Sequence, residues 1–208
     1  MSISLEEFNK LLPNQQRVLI AQDALARLSA GAFIPTQGIF IHLETTERIL
    51  SDDKVIGLVN KNKCEACAMG GLFISYLNIK NGLTVRDAGA DRWGIANAMV
   101  FDLKWEVLLK RMMEIFDVTQ MALIECAFEG WSSLLERSIT TTYDSVHRGK
   151  LIELRRSEAF EKAREFRRRY FNSSWGAYET ATEVRAARTK LMEAILINII
   201  EHDGEFLP

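Results

Sequence analysis

The sequence has few cysteines, few prolines and little net charge. Its 208 residues include three cysteines and three prolines, and 28 acidic residues nearly balance 26 basic ones, for a net charge of −2. An odd, low number of cysteines argues against a disulfide framework and is typical of proteins in a reducing compartment. The near-zero charge argues against a protein that binds nucleic acid over its whole surface, but it allows a local basic patch.

Export signals and membrane-spanning segments are also missing. The first ten residues, MSISLEEFNK, lack the cationic start and the apolar run of a signal peptide. The most apolar segment, AILINII near the C-terminus, is much shorter than the ~20 residues that span a bilayer. We therefore expect a cytoplasmic protein without a membrane partner.

Neither a linker nor a repeat divides the chain, and motifs for catalysis or cofactor binding are absent. The sequence contains no Walker A loop, GxGxxG fingerprint, HExxH pair, GxSxG elbow or EF-hand loop. With 48% hydrophobic residues, a chain of this length can bury a sizeable core without a metal or a disulfide. We predict a single compact domain over residues 1–208, without a cofactor, and favour a binding protein over an enzyme.

Helix-forming patterns dominate what is present. Ser4 and Glu7 fit a capping box before a short first helix, and Pro13 begins a second helix that Gly31 ends. Two further helices are predicted at about Cys64–Ile79 and Ala96–Phe116, and another begins after a cap at Asp117 or Thr119. The last two are predicted at about Lys150–Phe171 and Tyr178–His202, and Gly204 stops the final helix.

A β element is indicated near residues 39–59. The β-branched and aromatic residues Ile39–Leu43 follow a turn signal and predict a strand. Residues Lys54–Val59 fit either a partner strand or a piece of helix. The fold class is therefore mainly α, with about seven helices and a small β element.

The segment CEACAMGG, Cys64 to Gly71, is the one most suggestive of a site. A structural zinc site needs four ligands, usually as two close pairs, and this sequence has one such pair. The other candidate ligands are dispersed: Cys126, His42, His147 and His202. A redox pair would need a βαβ context, which is missing. We favour packing, because Ala66 and Gly70, and Cys67 and Gly71, would form rows of small residues along a helix.

Two carboxylates, Glu125 and Glu129, lie four residues apart in a helical segment. They could hold a metal with help from a second helix, but a solvated acidic edge is the favoured interpretation. The alternative function is an enzyme, or a protein that binds a small ligand or a metal between helices near Cys64–Cys67, Glu125 and residues 81–94.

The strongest charge feature is LRRSEAFEKAREFRRRYF, residues 154–171. Eight basic and four acidic residues between Lys150 and Tyr170 give this region a net charge of +4. Many of these charged residues have an oppositely charged residue three or four positions away, so much of the run is typical of an exposed helix with salt bridges. The end of the run is less fully paired and is followed by aromatic residues. The predicted partner-binding residues are Arg155, Arg156, Arg164, Arg167, Arg168, Arg169 and Trp175.

Three short segments, KCEACAMGGLF, MALIECAFEGW and ILINIIEHDGEFLP, resemble parts of small uncharacterised proteins of bacteriophages and plasmids. The resemblance implies a setting, since such proteins often bind a host protein and block or adapt it. We therefore expect a non-enzymatic inhibitor or adaptor that binds a host protein or a protein–nucleic acid complex. Direct binding to nucleic acid and homo-oligomer formation stay open.

Overall fold

The computed structural model describes residues 3–42, 64–79, 95–97, 112–130, 145–172 and 180–208. These ranges contain seven helices: α1 Leu5–Lys10, α2 Pro13–Ser29, α3 Ala68–Ile79, α4 Val118–Glu129, α5 Ser145–Arg155, α6 Glu158–Tyr170 and α7 Ala181–Glu201. They also contain four short strands: β1 Phe33–Pro35, β2 Ile39–His42, β3 Cys64–Ala66 and β4 Ile95–Asn97. The prediction of a mainly α fold is confirmed.

Local sequence signals define where several helices begin. The Ser4 hydroxyl accepts a hydrogen bond from the Glu7 N–H at 3.2 Å, and the Glu7 carboxylate accepts one from the Ser4 N–H at 2.9 Å, which confirms the capping box of α1. Asp117 caps α4, because its carboxylate accepts hydrogen bonds from the N–H groups of residues 119 and 120.

Gly204 ends α7 and holds the C-terminal turn against α2. Its φ angle is +87°, and its N–H donates to the carbonyl oxygen of Ile199 at 2.8 Å. Arg17 of α2 donates through Nε to the Gly204 carbonyl at 2.6 Å. A side chain at position 204 would collide with the backbone of Asn14. Both the left-handed φ and this close approach therefore require glycine.

The four strands form one mixed sheet in the order β1-β3-β2-β4. β1 and β3 are parallel, with Phe33 opposite Cys64, and β2 runs antiparallel to both β3 and β4. The strand predicted at Ile39–Leu43 is confirmed over Ile39–His42. Leu43 and the segment predicted at Lys54–Val59 lie outside the described residues.

The predicted helix at Cys64–Ile79 is wrong at its start. Cys64–Ala66 is a strand, and α3 begins at Ala68. The strand forms because β1 and β2 satisfy its backbone groups from both sides, a pairing with distant residues that local propensity does not report. Ala66 and Gly70 therefore do not lie on the same helix, so the predicted row of small residues that joins them does not form.

The predicted helices after residue 94 need two further corrections. Ile95–Asn97 is a strand, although a helix was predicted from Ala96, and residues 98–111 lie outside the described ranges. The single helix predicted at Lys150–Phe171 is two helices, because Ser157 interrupts it and caps α6 through a hydrogen bond from the Phe160 N–H.

The core lies between the sheet and the longest helices. α7 packs along α2, α3 packs against α2 and α4, and α6 packs against α4. The largest fully buried side chains are aromatic and include Phe8, Phe33, Phe73, Tyr76 and Phe116. No helix within the described ranges is long and apolar enough to cross a membrane.

Candidate functional site

The three cysteines are buried, unpaired thiols at separate points of the core. The Cys64 thiol donates to the Ala32 carbonyl at 3.7 Å, and the Cys67 sulfur accepts from the Gly70 N–H at 3.4 Å. The Cys126 thiol lies 4.0 Å from the Phe160 carbonyl. Each sulfur therefore contacts a backbone N–H or carbonyl group packed beside it in the core, as expected for cysteines that pack as small apolar residues.

The cysteine thiols are poor nucleophiles in this environment. Burial raises the pKa of Cys64 to about 12 and that of Cys126 to about 11. Burial, together with the nearby Glu129 carboxylate, also raises the pKa of Cys67 well above its usual value. Thiols with such pKa values stay protonated at neutral pH, which disfavours a redox role. No group of three or more His, Cys, Asp and Glu residues in the described ranges is arranged to hold a metal.

The prediction of a solvated acidic edge at Glu125 and Glu129 is wrong. Glu125 is only 9% exposed, and Glu129 is partly buried at the end of α4. Burial, and to a smaller extent the Glu125 carboxylate, raise the pKa of Glu129 to about 7. A hydrogen bond from the Gly38 N–H, at 2.8 Å, and the charges of Arg167 and Arg188 act in the opposite direction.

Arg167 belongs to this interior cluster, which corrects its prediction as a surface residue. It is 7% exposed, and its Nη1 donates to the carbonyl oxygen of Phe128. Its guanidinium lies 4.4 Å from the centre of the Phe171 ring. The carbonyl groups at the end of α4 carry partial negative charge, so a cation is stabilised there. This attraction turns Arg167 inward, away from the exposed face of α6.

Arg188 of α7 approaches the same cluster from another side. Its guanidinium lies 5.9 Å from the Phe171 ring, and its buried Nε makes no hydrogen bond to any residue in the described ranges. Four charged side chains from α4, α6 and α7 thus converge with one thiol from the junction of β3 and α3: Cys67, Glu125, Glu129, Arg167 and Arg188. We call these five residues the interior cluster.

The exposed face of α6 is largely neutralised by salt bridges. Lys162 pairs with Glu158, and Arg164 pairs with Glu161, each at 2.9 Å. Arg164 is only partly exposed and also lies over the Phe160 ring, at 4.9 Å from its centre. The middle of α6 therefore presents mixed, paired charges, as the spacing predicts.

The exposed arginines that remain lie at the two ends of α6. Arg155 and Arg156 precede the helix, and Arg168 and Arg169 lie in its last turn. Within the part of the chain that the structure describes, these four form no salt bridge. The part of α6 between the two pairs, residues 158–167, is about 15 Å long at 1.5 Å per residue. Trp175, the last predicted partner-binding residue, lies outside the described residues.

A groove lies between the end of α6 and the outer face of α7. Its volume is about 320 Å³, and its lining includes Tyr170, Lys190, Glu193, Ala194, Ile197 and Glu201. Tyr170 and Ile197 are 41% and 36% exposed, respectively. The sequence patterns do not predict this groove. Its signal is Ile197, an apolar residue that falls on the side of α7 opposite the buried Leu191, Ile195 and Ile199.

No protein-family model matches this chain, and comparisons with curated proteins and with solved structures find no similar chain.

Proposed function

We propose that this protein binds another protein through the C-terminal end of α6. Arg168, Arg169 and Tyr170 are consecutive exposed residues in the last turn of α6, and we call these three residues the basic–aromatic surface. The observation that supports the proposal is that two exposed arginines, which form no salt bridge with the other residues that the structure describes, precede an exposed tyrosine that lines a groove. Arginine and tyrosine are among the residues that contribute most to binding at protein interfaces.

The charge distribution favours a protein partner over nucleic acid. Binding to a phosphate backbone uses several cations along one track, whereas the salt bridges of Lys162 and Arg164 interrupt any such track on α6. The net charge of the whole chain is −2. We infer a partner that presents carboxylates next to an apolar side chain, so that the carboxylates pair with the arginines and the apolar group packs on Tyr170.

The resemblance to proteins of mobile elements supports an intracellular setting for this binding. We infer that the chain acts without catalysis, in the cytoplasm, as an inhibitor or adaptor of a host protein or protein complex. Arg155 and Arg156, at the other end of α6, supply a second contact on a partner of sufficient size.

Quantitative capture tests the proposal. The wild-type chain and the variant R168E/R169E are immobilised, and the proteins that each retains from a host lysate are compared by mass spectrometry. R155E/R156E reverses the same number of charges at the other end of α6, and K10E is a control on α1. Loss of one defined protein with R168E/R169E supports the proposal, and an identical set of retained proteins contradicts it.

The interior cluster favours a second candidate function, the binding of a small ligand. The observation in its favour is the buried Arg188 Nε, which makes no hydrogen bond to the part of the chain that the structure describes, on a guanidinium whose charge acts on the Glu129 carboxylate. A small molecule with an acceptor oxygen would satisfy this donor. Ligand binding is tested by measuring thermal stability in the presence of a panel of carboxylates, phosphates and divalent metals. Elemental analysis of the purified protein tests for a bound metal. A ligand that stabilises the wild type but not the variant R188M supports this candidate, and a panel without effect removes it.

A further inference from the structure

The turn between β1 and β2, residues 36–38, is joined to the C-terminal end of α4 by two hydrogen bonds. The Gly38 N–H donates to the Glu129 carboxylate at 2.8 Å, and Gln37 Nε2 donates to the Phe128 carbonyl at 2.6 Å. The two acceptors belong to consecutive residues, so one short stretch of α4 holds the turn. We call these two hydrogen bonds the α4 clasp.

The strands on either side of the turn are short and irregular. β1 has three residues and lies at an edge of the sheet, where it pairs with β3. β2 has a register shift against β4 between Ile39 and Ile41, directly after the turn. A Cβ atom at Gly38 would meet no atom of the described residues within 4 Å, so the outer side of the turn is open. The turn therefore has room to move outward when the α4 clasp breaks.

The Glu129 carboxylate of the clasp belongs to the interior cluster. Glu125, one turn earlier on α4, adds a second carboxylate and is 9% exposed. Arg167 of α6 and Arg188 of α7 add two positive charges, and Cys67 adds a thiol from the junction of β3 and α3. The turn itself contributes only neutral groups. Any change in the charge of Glu129 therefore occurs among buried or partly buried groups that respond to it.

Ionisation of Glu129 acts on the closed clasp in two opposite ways. Burial takes the negative charge away from water, and the Glu125 carboxylate repels it. The hydrogen bond from the Gly38 N–H and the charges of Arg167 and Arg188 stabilise the ionised form. Because the pKa of Glu129 is raised to about 7, burial outweighs these attractions. The closed clasp therefore favours a protonated carboxyl group.

We propose that the α4 clasp is a proton-controlled switch, which holds the β1–β2 turn closed when Glu129 is protonated and releases it when Glu129 is ionised. Outward movement of the turn takes Gly38 away from the carboxylate and lets water reach it. A carboxylate in water has an ordinary pKa, so opening releases a proton to the solvent. Rising pH therefore favours the open turn while the rest of the core stays folded. This inference does not depend on the partner proposed above.

Hydrogen exchange of the Gly38 amide, measured by NMR on the full chain, tests the switch. The observed rate is divided by the intrinsic rate of an unstructured peptide of the same sequence, because exchange itself is catalysed by base. The open fraction of the wild type is expected to rise at least about tenfold between about pH 5.5 and about pH 7.5. Low concentrations of urea are expected to change it little, because a local opening exposes little surface compared with global unfolding.

Two variants change the clasp in different ways. E129Q keeps a neutral acceptor for the Gly38 N–H and is expected to hold the turn closed at both pH values, whereas the exposed α6 variant E165Q is expected to behave like the wild type. E125Q removes a repelling charge, so the opening is expected to level off at a lower pH. The proposal is overturned by equal protection of Gly38 at both pH values in the wild type, by an equal rise in E129Q, or by exchange as sensitive to urea as that of the α7 core.

Discussion

The carboxylate of Glu129 accepts a hydrogen bond of 2.8 Å from the backbone N–H of Gly38. This contact fastens the turn between β1 and β2 to the C-terminal end of α4. The Gln37 side chain adds a second bond, from Nε2 to the Phe128 carbonyl at 2.6 Å. A carboxylate is unfavourable at the C-terminal end of a helix, and the charges of Arg167 and Arg188 offset this cost.

Stability is expected to depend on the ionisation of Glu129. Its pKa is raised from the unfolded value of 4.5 to about 7, so the folded chain binds more protons than the unfolded chain between these values. The free energy of unfolding is therefore expected to fall as the pH rises from about 4.5 to about 7, by an amount on the order of 2 kcal/mol. Urea denaturation across this pH range measures it.

The variant E129Q isolates this effect from the other groups that titrate in the same range. Its amide oxygen can still accept the Gly38 N–H, but it does not ionise, so its stability is expected to vary less with pH than that of the wild type. E165Q, an exposed change on α6, is the matched control. Equal pH dependence in E129Q and the wild type would contradict the assignment.

Arg167 and Arg168 are neighbours in sequence with different roles. R167A removes a buried cation from the Phe128 carbonyl and from the Phe171 ring, and it is expected to destabilise the fold by about 2–4 kcal/mol. R168A changes an exposed side chain and is expected to alter stability by less than about 0.5 kcal/mol. Denaturant unfolding compares the two variants, and losses of similar size would show that Arg167 is not a structural residue.

Gly71 is small because α3, α7 and β1 meet there. A Cβ atom at this position would lie 2.5 Å from the Met192 methyl carbon and 3.1 Å from the Phe33 ring. G71V is expected to cost about 1–3 kcal/mol through overpacking. G149A lies in a helix with open space around it, and it is expected to stabilise by up to about 1 kcal/mol. Thermal unfolding of both variants measures this difference. A G71V variant as stable as the wild type would contradict the close packing at Gly71.

The cysteines are expected to resist thiol reagents at neutral pH. Because Cys64, Cys67 and Cys126 are buried with raised pKa values, labelling by Ellman's reagent should be slow in the folded chain and fast after denaturation. The three thiols should then react together, at a rate set by unfolding. Rapid labelling of one cysteine in the native chain would restore the redox interpretation of CEACAMGG.

The features that the sequence predicted correctly depend on residues close together in the chain. The capping box at Ser4 and Glu7, the cap at Asp117 and the stop at Gly204 each involve contacts over a few residues. The strand at Ile39–His42 also has a local signal, because its residues are β-branched or aromatic.

The errors concern contacts between residues far apart in the chain. Cys64–Ala66 becomes a strand because residues about thirty positions earlier pair with it, and this pairing overrides local preference. Arg167 and Glu125 are charged residues that the sequence places on a surface, yet both are buried, and Arg167 bonds the Phe128 carbonyl at the end of another helix. Ile197 was missed because α7 has apolar residues on two faces, so its periodicity does not identify the inner one.

The affinity of a purified partner for the wild-type chain and for R168E/R169E tests the central proposal most directly. The partner is a protein retained by the immobilised wild type, and its binding is measured by calorimetry at two salt concentrations. We predict that R168E/R169E weakens binding at least about tenfold, or about 1.4 kcal/mol, while K10E leaves it unchanged. Salt should weaken binding to the wild type more than binding to the variant. Equal affinities for the wild type and R168E/R169E would contradict the proposal that the basic–aromatic surface is the contact.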